Sequence, residues 1–72
     1  MAYPNLNAEL ARIGMTHKQL ADRIGRPHVT VNNWMIGRTS VPVSDCFRIK
    51  DELFPELSVD YLFASEPIVV SQ

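Results

Sequence analysis

An all-α fold of five short helices is the architecture this sequence predicts. Three observations carry it. Apolar residues recur at helical spacing, Thr16 to Gln19 spells a helix-start signature, and glycine, proline and serine divide the chain into short segments. The chain has 72 residues, 46% of them apolar and 21% charged, which is one globular domain and not a disordered segment. The expected division is a helical domain over 1–66 and a tail over 67–72.

Helix 1 is predicted from Leu6, Leu10 and Ile13, spaced i, i+4, i+7, with Asn5 as its N-cap and Gly14 as its stop. Helix 2 has the clearest local signal. In Thr16-His17-Lys18-Gln19 the Thr16 hydroxyl can accept the Gln19 amide while the Gln19 side chain reaches back, and Met15 and Leu20 flank the pair as a hydrophobic staple. Leu20, Ala21 and Ile24 supply its buried face, and Gly25 suits the left-handed position that ends it, so it spans about 17–24.

Pro27 is tolerated in a first helical turn, so helix 3 is expected from there to about Ile36, closed by Gly37, with Val31 and Trp34 facing inward. The connection Gly25-Arg26 is too short for a parallel hairpin. It forces a steep crossing, which predicts a helix-turn-helix over about 17–36. After a loop over 38–43, Ser44 is expected to cap helix 4, about 45–53, with Cys46, Ile49 and Leu53 on one face and Phe54-Pro55 breaking it. Ser58 caps a last helix over 59–64, with Val59, Leu62 and Phe63 inward. Pro67-Ile68-Val69-Val70 reads equally as a frayed tail or a short extended strand.

The composition excludes several function classes. A lone cysteine, Cys46, leaves no intramolecular disulfide and no multi-cysteine zinc site, and it reads as a small buried hydrophobe. His17 and His28 have no thiolate or carboxylate at ligand spacing, so no metal is expected. No nucleophile–base–orienter set and no phosphate loop is present, so neither enzyme nor cofactor is expected. No segment approaches the roughly 18 apolar residues that span a bilayer, and the N-terminal residues carry no secretory signal, so the expected location is cytoplasmic.

The net charge of −1 conceals a split. Residues 1–38 hold Arg12, Lys18, Arg23, Arg26 and Arg38 against Glu9 and Asp22, a net of +3. Residues 39–72 hold Arg48 and Lys50 against Asp45, Asp51, Glu52, Glu56, Asp60 and Glu66, a net of −4. The split points to an N-terminal half that faces a polyanion and a C-terminal half with another task.

Two segments carry a resemblance. Met15-Thr16-His17-Lys18-Gln19-Leu20-Ala21-Asp22-Arg23-Ile24-Gly25, followed by Val29-Thr30-Val31-Asn32-Asn33-Trp34-Met35-Ile36-Gly37, is similar to the lambda-repressor/Cro-like helix-turn-helix family. Ser58-Val59-Asp60-Tyr61-Leu62 resembles that family's fifth helix, so the likeness spans about 5–63. It implies a lambda-repressor-like domain whose helix 3 reads the major groove of a double-stranded DNA operator, in a Cro-like switch regulator of a temperate phage or prophage. Such a protein would work at the nucleoid of a bacterial host and dimerise weakly.

The residues agree with that placement. With Val31 and Trp34 inward, His28, Val29, Asn32 and Asn33 face outward as base-reading candidates. Asparagine matches adenine N6 and N7, and valine matches a thymine methyl. His17, Lys18, Arg38, Thr39 and Ser40 are the candidates for the DNA backbone. The chain departs from the family where Met35 and Ile36 replace polar residues, Arg26-Pro27 replaces a Ser/Thr cap, and Phe54-Pro55 lengthens a loop. Val29, Met35 and Ile36 therefore offer an alternative patch for a protein partner. With the acidic half, that patch suggests a modulator or antirepressor that binds a phage repressor.

Overall fold

The computed structural model describes residues 2–64, and among these the chain is all-helical, with five helices and no strand. They are α1 (Pro4–Arg12), α2 (His17–Ile24), α3 (His28–Met35), α4 (Val43–Leu53) and α5 (Val59–Leu62). One core joins them: Leu6 and Leu10 from α1, Leu20, Ala21 and Ile24 from α2, Val31, Trp34 and Met35 from α3, Cys46 and Ile49 from α4, and Leu62 from α5. The expected tail over 67–72, including the segment 67–70, lies outside the described residues.

α2 forms as its sequence dictates. Thr16 Oγ1 accepts the Gln19 N–H at 3.1 Å, and the Thr16 N–H donates to Gln19 Oε1 at 2.9 Å, so two orphan amides are satisfied reciprocally. Gly25 sits at φ 72°, and the Arg26 N–H turns back to the Ala21 carbonyl at 2.9 Å. That closure satisfies the carbonyl end of α2 and redirects the chain within three residues into α3.

Four expectations are corrected. Asn5 is not the cap of α1, because Pro4 already occupies the first helical position. Asn5 is buried inside the first turn and donates from Nδ2 to the Tyr61 carbonyl at 2.9 Å. The cap is Tyr3, a non-glycine residue at φ 57°, a left-handed conformation that costs about 1–2 kcal/mol. Its ring packs edge-on against Phe63, 5.6 Å between centroids, and its hydroxyl accepts the Val41 N–H at 3.2 Å, which offsets that cost.

Ile13 lies beyond the end of α1 and is half exposed instead of lining the core. Ser44 does not cap α4. Pro42, extended at ψ 149°, starts the helix two residues earlier than expected, and its carbonyl accepts the Cys46 N–H at 3.0 Å. α5 stops at Leu62, with Phe63 as its C-cap, and Ser58 caps it as expected by accepting the Tyr61 N–H at 3.1 Å.

The first and last of the described helices are fastened to each other. Besides the Asn5 and Tyr3 contacts, the Tyr61 hydroxyl donates to Glu9 Oε2 at 2.8 Å. The Ala2 N–H donates to the Met35 carbonyl at 3.2 Å, so the N-terminus satisfies one of the carbonyls left over at the end of α3.

Candidate nucleic-acid interface

The outward face of α3 follows from its inward one. Val31, Trp34 and Met35 stand at i, i+3, i+4 and are all buried, so they form one stripe that anchors the helix. Opposite that stripe the helical wheel places Val29, Asn33 and Ile36, with Asn32 and His28 to one side. Val29 is 64% exposed and Ile36 51%, while His28 and Asn32 are exposed and Asn33 is half-buried.

Met35 is a correction. It was a candidate for a partner-binding patch, but its exposure is 0%. Four residues after Val31, it must enter the core with it. The large exposed apolar side chains of α3 and its C-cap are thus Val29 and Ile36.

At the start of α3 the structure brings several candidates together. His17, Lys18 and His28 line one open depression with Thr16, Asn7 and Met15, where the N-terminus of α2 meets α1 and α3. His17 Nε2 lies 3.2 Å from Asn7 Oδ1, which orients the ring. At the other end of the helix, the Arg38 and Thr39 N–H groups both converge on the Asn33 carbonyl, at 2.9 and 3.4 Å. The loop that carries the exposed Arg38, Thr39 and Ser40 is thereby folded back against the end of α3. The nine candidates for base and backbone contact therefore occupy one helix face and its two ends.

The charges sort themselves in the same way. Arg12 pairs with Glu9 at 3.7 Å, Arg23 with Glu52 at 3.7 Å, and Arg26 with Asp45. Arg26 makes a two-pronged contact, Nε to Oδ1 at 3.2 Å and Nη2 to Oδ2 at 3.1 Å, which ties the turn before α3 to the first turn of α4. Lys50 donates to the Pro55 carbonyl at 3.0 Å. Among the described residues, Lys18, Arg38, Arg48 and Lys50 make no ion pair, and Lys18 and Arg38 flank α3.

Sequence reasoning missed the Arg26–Asp45 contact, whose partners are 19 residues apart, and no local signal announces it. It also missed Val43 and Phe47, which stand one turn apart on α4 and are 71% and 52% exposed. Their i, i+4 spacing was visible. Compared with known proteins, the chain matches no family model, no curated protein and no solved structure.

Proposed function

We propose that this protein is a sequence-specific DNA-binding transcriptional regulator, a Cro-like switch component that reads an operator with α3. The observation that carries the proposal is the segregation of α3. Its apolar stripe is wholly consumed by the core, while Val29, Asn32 and Asn33 face outward between two ends that hold Lys18 and Arg38. A helix held out in this way fits a major groove about 12 Å wide, and Lys18 and Arg38, which make no ion pair among the described residues, are available to the phosphates on either side. The resemblance to lambda-repressor/Cro-like proteins adds a weak dimer whose two copies of α3 would lie about 34 Å apart.

The test is selection of bound duplexes from a random library, followed by anisotropy titration of the enriched duplex against a shuffled one. Preference for the enriched duplex by a factor of about 1,000 or more supports the proposal. Equal affinity for both would sink it.

A second reading has its own observation. Val29 and Ile36 leave an apolar strip on the same helix, and α4 carries Asp51 and Glu52 on an exposed surface. A modulator that docks on a basic repressor would use such features. A gel shift that appears only when a co-purified repressor is present, and not with this chain alone, selects that reading.

A further inference from the structure

α3 has an unusual chemistry for a helix that reads bases. Over His28–Met35 it holds no lysine and no arginine, the side chains that make the commonest specific contact with guanine O6 and N7. The positions most directly opposite its buried stripe are Val29, Asn33 and Ile36, two of them apolar and more than half exposed. His28, at the front of the helix, shares the depression with His17 and Lys18, on the side of the α2 N-terminus. It thus lies beside the α2 N-terminus and not directly opposite the buried stripe.

We infer that α3 reads an A·T-rich half-site, with thymine 5-methyl groups against Val29 and Ile36 and an adenine against Asn33. This rests on the DNA-binding reading above and specifies what that site recognises. The physical argument is one of matching. In the major groove the thymine methyl is the one apolar group a base pair presents, and the asparagine amide complements the N6 donor and N7 acceptor of adenine. A G·C pair set against Val29 or Ile36 would bury guanine O6 or the cytosine amino group against hydrocarbon with no partner, and an unsatisfied buried polar group is penalised. Asn32, at the edge of the face, is placed to meet a neighbouring pair.

The spacing of the apolar contacts follows from the helix. Val29 and Ile36 are seven residues apart, about 10 Å along the axis at 1.5 Å per residue. That separation places the two methyls on different base pairs, with the Asn33 adenine between them.

The experiment uses the full chain and the duplex enriched from the random library. Each half-site thymine is replaced in turn by deoxyuridine, which removes the 5-methyl group and leaves every hydrogen-bonding group in place. Wild-type affinity is expected to fall about fourfold for each contacted methyl. In Val29→Ala one of the two uracil-sensitive positions should lose its sensitivity, and in Ile36→Ala the other. Both side chains are exposed, so folding is not at stake, and the DNA substitution leaves the protein unaltered. Enrichment of G·C-rich half-sites, or uracil and thymine duplexes bound alike by the wild type, overturns the inference while leaving DNA binding intact. Failure to prefer any duplex overturns the regulator reading and this inference with it.

Discussion

Replacing Arg26 and replacing Asp45 should not be equivalent, because the two side chains of one ion pair sit in different surroundings. The Asp45 side chain is 4% exposed and the Arg26 side chain 47%. Arg26→Ala strands a carboxylate out of water, a loss of about 3 kcal/mol. Asp45→Asn lets the guanidinium rehydrate and forfeits mainly the charge-assisted bonds and a favourable charge in the first turn of α4, about 1–2 kcal/mol. At about 4–8 °C per kcal/mol for a domain of this size, thermal melts separate the two variants. A larger drop for Asp45→Asn would contradict the burial argument. Tyr61 supplies a second test. Its hydrogen bond to Glu9, more than its desolvation, pushes the phenol above its ordinary value of 10.0. Because the folded value lies above the unfolded one, this contribution to stability is fully present below pH 10 and is lost as pH rises through the raised value. Tyr61→Phe should cost about 1 kcal/mol at neutral pH and remove that alkaline decline. An absorbance titration in which every phenol ionises at or below pH 10 would refute it.

At the scale of the helices, what was legible is what is local. The α2 start and stop were readable because the capping box and the Gly25 turn lie within a few residues of each other. α3 was readable as an inward stripe and an outward face, which leaves the side chains at 28, 29 and 32 exposed and that at 33 half-buried. Met35 went wrong at this same scale, since the spacing that buries Val31 and Trp34 also buries Met35. The starts of α1 and α4 were misplaced because proline competed with the polar caps Asn5 and Ser44, and won through its preset backbone. The contacts that close the domain were not legible at all. Asn5 to Tyr61 spans 56 residues, and only the packed helices bring the two together. The turn itself is testable. A Cβ added at Gly25 meets nothing within 4 Å, so Gly25→Ala carries only the backbone penalty of φ 72°, about 1–2 kcal/mol. Gly25→Asn should cost less, since asparagine tolerates that conformation. Equal losses in a denaturant titration would mean that something other than the left-handed backbone governs the site. If α3 reads an operator as proposed, Asn33→Ala weakens that binding by about 1–3 kcal/mol and relaxes preference at one base pair. Unchanged specificity would remove Asn33 from the reading face.

Over the whole molecule, the opposed charge of the two halves turns out to be partly internal. Arg23 and Arg26 belong to the positive half by sequence, yet they are paired with Glu52 and Asp45 of the negative one. The halves therefore hold each other, and the charge available to a polyanion is smaller and more localised than a count along the chain implies. Around α3 it is carried by Lys18 and Arg38, one at each end of the helix. For the proposed DNA binding this makes salt dependence diagnostic, because each neutralised phosphate adds about −0.9 to the log–log slope. On that proposal, three phosphate contacts per subunit, at Lys18, Arg38 and the start of α2 near His17, predict a slope of about −5 for a dimer. Lys18→Ala and Arg38→Ala should each flatten it by about 2, one contact being lost from each subunit. Arg23→Ala removes a cation of the same formal charge from the same half, but one already held by Glu52. It should leave the slope nearly unchanged. If Arg23→Ala flattened the slope as much as Lys18→Ala, the attraction would come from the diffuse charge of the N-terminal half, and the two ends of α3 would lose their special role.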